Sequence, residues 1–350
     1  MEKYRMNPNK FEFGLYTLGD HLANPWTGER IPVQQRLQEI IKLAQLAEQA
    51  GLDFFSVGES HQEFFATQAH AVVLSAIAQA TEKIKVASSS TIISTSDPVR
   101  VYENFSTIDL LSGGRAEIVA GRASRVGLYE LLGYDLHNYE ELFEEKFDLL
   151  RKINEEEVVN WSGEFRKPLR NAEVLPRPAS GRLPIWRAVG GTPTSAIKAG
   201  YAGVPMFLAH LGGPVEAFKR TVDAYRMAAT EGGHDPAELP VSTAGFFYAA
   251  ETTQQAIDEY YPHINEGMKR TNGQGFPRFQ FEQGADPHNV MNVGSPEQII
   301  EKILYQREVF GHQRYVAQMD FGGVPFEKLE KNIEIIATKI LPAVRKYTAE

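Results

Sequence analysis

Eight short apolar segments alternate with amphipathic helical patterns along this 350-residue chain. Each apolar segment has the length of a buried strand, and the segments between them carry apolar residues at helical spacing. We predict strands at residues 11–18, 54–57, 84–93, 116–120, 185–189, 204–208, 241–249 and 314–321. Eight repeats of a strand and a helix are the pattern of a parallel (β/α)8 TIM barrel, for which about 250 residues are typical. The sequence therefore predicts this α/β fold.

The predicted helices follow the same rhythm. They cover residues 33–50, 66–80, a stretch opened by Asp97-Pro98, 139–157, 192–199, 214–230, 252–269, a stretch opened by Ser295-Pro296, and 326–346. Ser295 has the character of an N-cap, and Pro296 suits a first helical position. Residues 158–183 and 271–293 break the alternation with prolines, glycines and turns, and we interpret them as insertions after strand 4 and between strands 7 and 8. We expect one domain over residues 1–350.

Composition narrows the classes of protein that this chain can be. Its formal net charge of -9 argues against a general nucleic-acid or anionic-membrane surface, although it leaves room for a local phosphate pocket. The absence of cysteine excludes disulfides, thiolate metal sites and cysteine nucleophiles. The first thirteen residues lack the apolar core of a signal peptide, and no apolar run approaches a membrane span. We therefore expect a cytoplasmic protein.

The stretch SGGRAEIVAGRAS, Ser112 to Ser124, places Gly121 and Arg122 at the carboxyl end of the fourth predicted strand. Ligands of parallel α/β proteins bind at these strand ends. A glycine there lets a ligand approach the backbone, and an arginine offers a planar set of donors for phosphate. Alternatively, Arg122 caps the barrel or pairs with a carboxylate.

The fifth predicted strand ends in a glycine-rich turn that opens a helix. Gly190 and Gly191 leave the strand, Thr192 is placed to cap the helix, and Thr194 adds a hydroxyl. Free N–H groups and the dipole at a helix start favour an anion. Simple tight packing is the alternative, but with Arg122 on the neighbouring strand the pattern favours phosphate binding.

Two further strand ends carry polar residues. Glu59 and His61 are two residues apart, so in an extended segment they share a face. A metal site that also uses His210 and Asp320 is a minor alternative, and a structural role for His61 is another. A serine run that includes Ser89 and Ser90 is unusual for a core, and such small residues would let a flat ring lie against the backbone; a tapered barrel mouth is the alternative.

Six stretches of the chain together resemble one protein family. They are FEFGLYTL at 11–18, VGESH at 57–61, the run SSSTIISTSDPVR…DLLSGGR…GR at 88–122, EVLPRP at 173–178, VGGTPTSAIKAG at 189–200, and FGGVPFEKLEKNIEIIATKILPAVRKY at 321–347. In this combination the sequence resembles the bacterial luciferase-like flavin-dependent monooxygenases over nearly its whole length. The DPVR…DLLSGGR…GR run is the most specific part.

The resemblance implies a barrel that binds reduced FMN and uses dioxygen through a flavin hydroperoxide to oxidise a small organic substrate. It also implies a separate NAD(P)H-dependent flavin reductase and a homodimer. Two alternatives are a flavin-binding protein without oxygenase activity and a deazaflavin-dependent oxidoreductase. No metal, nucleic acid or membrane partner is implied.

Residue by residue, Arg122 matches the family's phosphate-binding arginine, and Gly191 and Thr194 match its phosphate turn. Ser89 and Ser90 match the position of a non-proline cis peptide under the flavin ring. One departure is at Ser60, which stands where luciferases have the histidine tied to their chemistry, so light emission from an aldehyde is not expected.

His61, beside Glu59, is the remaining candidate for proton donation. We expect the 271–293 insertion to cover the ring as a lid, with Phe276, Phe279 and Phe281 as apolar cover and Gly284 among its hinges. The candidate substrate-pocket residues are Tyr16, Phe64, His210, Phe246 and Tyr248.

Overall fold

Eight parallel strands close into a barrel in the computed structural model, which describes residues 1–123 and 127–349. Ser124, the last residue of the SGGRAEIVAGRAS motif, lies outside the described residues. The strands are β1 (Glu12–Thr17), β2 (Phe54–Val57), β3 (Lys85–Ser88), β4 (Thr91–Ile92), β5 (Ala116–Gly121), β6 (Val158–Trp161), β7 (Leu169–Glu173), β8 (Ile185–Val189), β9 (Met206–Ala209), β10 (Val241–Ala249), β11 (Asn292–Gly294) and β12 (Arg314–Gln318). The barrel runs β1-β2-β3-β5-β8-β9-β10-β12 and closes through the β12–β1 pairing. The predicted α/β barrel is confirmed.

Helices follow the barrel strands as the apolar periodicity predicts, together with two short helices, at 128–131 and 278–282, that the sequence did not predict. They are α1 (Val33–Gln49), α2 (His70–Ala80), α3 (Pro98–Ser112), α4 (Leu128–Leu131), α5 (Tyr139–Glu155), α6 (Pro193–Tyr201), α7 (Val215–Glu231), α8 (Thr253–Asn272), α9 (Arg278–Glu282), α10 (Pro296–Phe310), α11 (Phe326–Ile335) and α12 (Leu341–Thr348). The Asp97 side chain accepts from the N–H of Val99, and the Ser295 hydroxyl accepts from the N–H of Gln298. Both predicted helix starts are thus confirmed, because each cap satisfies a donor that the first turn leaves free.

Two predicted boundaries were wrong near the mouth of the barrel. The strand expected at 84–93 is divided into β3 and β4 by a cis peptide bond between Ser89 and Ser90. The helix expected from residue 66 begins only at His70, because the Thr67 hydroxyl is held by the carbonyls of Leu18 and Gly58. Both departures put irregular backbone at the carboxyl ends of β2 and β3.

The two irregular stretches differ in construction. Strands β6 and β7 pair antiparallel and form a separate two-stranded sheet between α5 and β8. The stretch after α8 contains α9 and β11, and three side chains of α10 bind its backbone. Gln298 and Lys302 donate to the carbonyls of residues 285 and 284, and Gln306 donates to that of residue 290. The second half of this stretch is therefore fixed to α10.

A charged cluster occupies the amino-terminal layer of the barrel interior. Arg314, at the start of β12, is completely buried and binds Glu12 of β1 at 2.7 Å and Glu117 of β5 at 2.9 Å. Lys85 of β3 adds a second contact to Glu12 at 2.5 Å. The guanidinium also lies 4.1 Å from the ring centroid of Phe54. This cluster ties four strands together at the end opposite to the expected binding site.

Among residues 1–123 and 127–349, no helix has both the length and the apolar character that crossing a membrane requires. That one domain covers residues 1–350 stays a prediction.

Candidate functional site

A pocket of about 270 Å³ opens at the carboxyl ends of β2, β3 and β5. Its lining brings together five of the predicted site residues, namely Glu59, His61, Ser89, Ser90 and Arg122. Its volume is close to the lower end of the range of about 300–1,000 Å³ that small-molecule sites occupy. Residues that are up to 63 positions apart in sequence meet here because parallel strands end at one edge of the barrel.

Two glycines allow the backbone to pass close to the Ser89–Ser90 segment, which lines this pocket. A Cβ at Gly121 would lie 2.2 Å from Oγ of Ser90, and a Cβ at Gly58 would lie 2.8 Å from the carbonyl oxygen of Ser89. Real Cβ atoms do not approach other atoms so closely, so any larger residue would force the Ser89–Ser90 segment to move. The cis bond between these serines stands at the position that the family resemblance predicts.

Arg122 follows β5 directly and remains partly accessible, with its side chain 22% exposed. Its Nη1 donates to Oε2 of Glu140 on α5 at 3.0 Å, and its guanidinium lies 5.6 Å from the ring centroid of Phe143. The alternative considered from the sequence, a pairing of this arginine with a carboxylate, is therefore observed. It does not exclude ligand binding, because the arginine also lines the pocket.

Glu59 is the centre of a hydrogen-bonded group in the wall of the pocket. Nε2 of His61 donates to its Oε1 at 2.8 Å, and the N–H of Ile92 donates to its Oε2 at 2.8 Å. Nδ1 of His70, on α2, lies 3.9 Å from the same Oε2, and its Nε2 lies 2.8 Å from the Thr91 hydroxyl. Burial lowers the pKa of His70, which favours its neutral form.

His70 was not predicted from the sequence. A lone histidine at the start of a helix carries no functional signal by itself. Only the late start of α2 brings His70 next to the end of β2.

The glycine-rich turn lies at the end of the neighbouring strand, β8, but it does not line the pocket that contains Arg122. Gly190, Gly191, Thr192 and Thr194 are all exposed. A Cβ at Gly190 or Gly191 would meet no atom of the described residues within 4 Å, so packing against that part of the chain does not explain these two glycines. Thr192 is the N-cap residue of α6 but makes no side-chain capping bond. The first turn of α6 therefore has backbone donors that no cap side chain satisfies.

A second charge cluster, which the sequence reasoning missed, lies between α5 and α6. Arg187 of β8 is buried and binds both oxygens of Glu144, at 2.7 and 2.9 Å. Lys198 of α6 donates to Glu144 at 2.9 Å and lies 3.9 Å from Oε2 of Glu140. Burial would raise the pKa of Glu144, but the bonds from Arg187 and Lys198 lower it to about 2. The arginine inside the apolar strand IWRAV is the signal that could have revealed this cluster.

None of the five side chains predicted to line a substrate pocket lies in the lining of this one. Tyr16 donates to Gln318 inside the barrel, and Phe246 is 1% exposed in the core. His210 is also completely buried, and Phe64 packs against its neighbour Phe65. Tyr248 lines a separate cavity between α8 and α11. For this pocket the prediction was wrong: the strands carry Tyr16, Phe246 and Tyr248 away from it, and Phe64 and His210 follow strand ends without reaching its lining.

The residues that the structure describes contain no group of three or more His, Cys, Asp or Glu side chains arranged to hold a metal ion. Asp320, which the metal alternative used, is held instead by Arg36, whose Nη2 lies 2.5 Å from its Oδ2. The structure does not bring it together with Glu59 and His61.

The chemistry of this site fits a flat cofactor that carries a phosphate. The small serines and a partly exposed arginine line the same pocket, and the two glycines place no side chain against the serine segment. The uncapped turn of α6 is next along the barrel. The Glu59–His61 pair supplies a group that can hold or move a proton beside the pocket.

A parallel barrel with a ligand-sized pocket at the carboxyl ends of its strands defines the protein as an α/β-barrel binding or catalytic protein. The sequence matches the model of the luciferase-like monooxygenase family over residues 11–313. The chain belongs to this family. The resemblance stated from the sequence is confirmed, and so is the class of enzyme, an oxidoreductase.

Curated relatives carry related names. The chain is 30% identical over 238 residues to the N-acetyl-S-alkylcysteine monooxygenase of Bacillus subtilis, a match that covers 65% of this chain and 66% of that protein. It is 27% identical over 198 residues to the alkanal monooxygenase alpha chain of Photorhabdus luminescens, covering 56% of this chain and 54% of that one. The chain thus aligns with slightly less than two thirds of the first relative and about half of the second.

Solved structures establish the likeness of the fold. Monooxygenase RslO1 from Streptomyces bottropensis superposes with a TM-score of 0.83 at 22% identity, covering 95% of this chain and 99% of that one. The oxygenating constituent of 3,6-diketocamphane monooxygenase from Pseudomonas putida, in complex with FMN, gives 0.74 at 18% identity, covering 95% and 98%. An F420-dependent secondary alcohol dehydrogenase gives 0.72 at 18% identity, covering 96% and 99%. The second of these structures is a complex with FMN, and the third is a complex with an F420-acetone adduct.

Proposed function

We propose that this chain is an FMN-dependent monooxygenase that uses reduced FMN and dioxygen to oxidise a small organic substrate. The observation that supports it is the single pocket in which Arg122, the Ser89–Ser90 segment and the Glu59–His61 pair meet, in a chain of the luciferase-like family. Reduced FMN, supplied by a separate NAD(P)H-dependent reductase, would provide the electrons that activate dioxygen. The protein's location in the cytoplasm and its assembly as a homodimer stay predictions.

Each part of the site has a distinct task in this proposal. Arg122 binds the phosphate through charge-assisted hydrogen bonds, and the turn from Gly190 to Thr194 adds backbone and hydroxyl donors. Ser89 and Ser90 support the face of the ring, with Gly121 behind them. The phosphate and the ring are thus held by neighbouring strand ends.

The Glu59–His61 pair in the pocket lining is the candidate for transferring protons. Because Glu59 holds Nε2 of His61, Nδ1 is the ring nitrogen left to take or give a proton. The carboxylate fixes the orientation of the ring, as acidic partners of catalytic histidines do. Ser60 also lines the pocket, where it is small enough to leave space for substrate.

Water must be kept from the reacting atoms, and the 271–293 stretch remains our candidate for the lid. Phe276 packs against the core and Phe281 is buried, whereas Phe279 is 70% exposed. Gly284 does not fit the role of a hinge that we predicted, because Lys302 binds its carbonyl and a Cβ there would lie 2.6 Å from the sulfur of Met291. The mobile part of such a lid would lie before Gly284.

Cofactor titration tests the proposal. Wild type, Arg122→Ala and the control Arg100→Ala, whose arginine is 75% exposed on α3, are titrated anaerobically with reduced FMN, and in parallel with oxidised FMN and a deazaflavin. Losing a charge-assisted phosphate contact costs about 1.5–3 kcal/mol, so Arg122→Ala should weaken FMN binding by about ten- to a hundredfold. Binding of the deazaflavin alone would indicate a hydride-transfer enzyme, and binding of no flavin would overturn the function.

A flavin-binding protein without oxygenase activity is distinguished by a further measurement. Air is admitted to the reduced, loaded protein together with candidate organic substrates, and substrate oxygenation is followed by mass spectrometry with ¹⁸O₂. Label in a product supports the monooxygenase. FMN binding with hydrogen peroxide as the sole oxygen product, across a broad substrate panel, would favour the alternative.

A further inference from the structure

One carboxylate oxygen lies between two cations at the edge of the candidate site. Oε2 of Glu140 is 3.0 Å from Nη1 of Arg122 and 3.9 Å from Nζ of Lys198. The three side chains come from three elements, namely the end of β5, the first turn of α5 and the second turn of α6. This arrangement joins the arginine at one strand end to the helix that follows the glycine-rich turn.

The position that Glu140 occupies has the properties of a phosphate site. It is flanked by two cations, and it lies next to a helix whose N-cap residue, Thr192, makes no side-chain capping bond. All three charged side chains are partly accessible, with exposed fractions of 22% for Arg122, 39% for Glu140 and 44% for Lys198. A ligand that arrives from solvent can therefore reach both cations.

The two carboxylates of this region differ in how firmly they are held. Glu144 is bound through both of its oxygens by Arg187, which is 2% exposed, and its pKa of about 2 keeps it ionised. Glu140 has one hydrogen bond, to Arg122, and no such buried partner within hydrogen-bonding distance among the described residues. Glu140 can therefore swing into solvent while Glu144 stays in place.

We propose that Glu140 and the cofactor phosphate compete for the position between Arg122 and Lys198, so that Lys198 is a second phosphate-binding cation and Glu140 an internal competitor. This inference rests on the proposed function, because it concerns the phosphate of the same cofactor. A doubly charged phosphate beside an ionised carboxylate is repelled, whereas the same phosphate between two cations is attracted. Binding thus requires Arg122 to exchange Glu140 for phosphate, which weakens the affinity for a phosphorylated flavin.

If Glu140 instead helped the cofactor to bind, its replacement would change the affinity for the phosphorylated flavin in the opposite direction. If its carboxylate served to orient Arg122 toward the ligand, its removal would weaken binding of the phosphorylated flavin. If it competes with the ligand, its removal strengthens binding. The direction of one affinity change therefore distinguishes the two roles.

The experiment compares FMN with riboflavin, which has the same ring and no phosphate. Wild type, Glu140→Gln, Lys198→Gln and the control Glu141→Gln are titrated with each ligand at low ionic strength and followed by flavin fluorescence. Glu141 is an exposed carboxylate on the same helical turn. Circular dichroism and thermal melting verify that every variant is folded.

We expect Glu140→Gln to bind FMN about tenfold more tightly and Lys198→Gln to bind it about three- to tenfold more weakly, with riboflavin unchanged in both. Both shifts should shrink as salt is added, since exposed charges are screened. Weaker or unchanged FMN binding by Glu140→Gln would overturn the proposal, as would equal shifts for riboflavin. If wild type bound neither flavin, the proposed function itself would fail, which is a different result.

Discussion

Gly121 and Ser90 approach each other so closely that the first cannot carry a side chain. A Cβ on Gly121 would lie 2.2 Å from Oγ and 2.8 Å from Cβ of Ser90, and 3.3 Å from Cβ of Ala188 on the other side. The glycine thus allows β5 to pass the Ser89–Ser90 segment at the floor of the candidate pocket. Position 121 requires glycine for steric reasons, since the backbone there does not adopt a positive φ.

Gly121→Ala should therefore damage the site and the fold together. Overpacking of a buried position costs about 1–3 kcal/mol, and we expect this loss in the free energy of unfolding measured with urea. FMN binding should weaken in parallel because Ser90 must move. Gly190→Ala is the matched control, since within residues 1–123 and 127–349 no atom lies within 4 Å of its added Cβ, and its stability should stay at the wild-type value. Equal stabilities for both variants would contradict the steric argument.

His61→Asn should slow oxygen-dependent chemistry more than it weakens cofactor binding. A positioned acid or base contributes about 10²–10⁴-fold to a proton-transfer step, so air oxidation of the bound reduced flavin should slow by about a hundredfold. The measurement is stopped-flow absorbance, with FMN affinity determined separately. His137→Gln, whose side chain is 94% exposed, is the control. An unchanged oxidation rate in His61→Asn would remove this histidine from the mechanism.

Arg314→Met should destabilise the barrel by about 3–5 kcal/mol, because it removes the buried guanidinium that binds both carboxylates and leaves them only the more distant or partly exposed Lys85. Burial alone would raise the pKa of Glu12, but Arg314 and Lys85 lower it, so the folded protein keeps this group ionised. In the variant, Glu12 loses one of the two cations that lower its pKa, so its pKa should rise. Urea unfolding of Arg314→Met and of Arg100→Met, an exposed arginine, gives the comparison. A loss below about 1 kcal/mol would show that the cluster contributes little to stability.

Two buried histidines predict a loss of stability in mild acid. Burial lowers the pKa of His210 to about 4 and holds that of His312 well below its usual range. An unfolded histidine titrates near pH ~6.5, so below that pH the unfolded chain binds protons that the folded protein does not. The free energy of unfolding should therefore fall as the pH decreases, by about 2–3 kcal/mol between pH ~6.5 and ~4.5 for His210 alone.

The control for this prediction separates histidine from carboxylate effects. Glu144 has a pKa of about 2 in the folded protein and an ordinary value near ~4.5. Its contribution to the free energy of unfolding is therefore lost only as the pH falls below ~4.5, which lies below the pH interval used for the histidines. His210→Leu should flatten the dependence on pH between ~6.5 and ~4.5, whereas His137→Gln should not. Identical slopes for wild type and His210→Leu would refute the assignment.

Local patterns in the sequence were sufficient to predict most helices and strands of the barrel. Apolar periodicity and caps such as Asp97 and Ser295 depend on residues a few positions apart, so they can be read without tertiary information. They failed near the cis bond at Ser89–Ser90 and before His70, where contacts to other strands fix the backbone. Tyr16 and Tyr248 were also named as candidate substrate-pocket residues, although packing holds both elsewhere.

The sequence by itself determined the barrel, the family and the placement of Arg122, Glu59 and His61 at strand ends, because strand direction fixes which end of a strand carries a ligand. Only the tertiary structure decided what those residues touch. His70 reaches Glu59, and Glu140 reaches both Arg122 and Lys198, through the packing of α2, α5 and α6 on the barrel. Such contacts join residues far apart in sequence, and their geometry is set by the closure of the barrel and not by any local pattern.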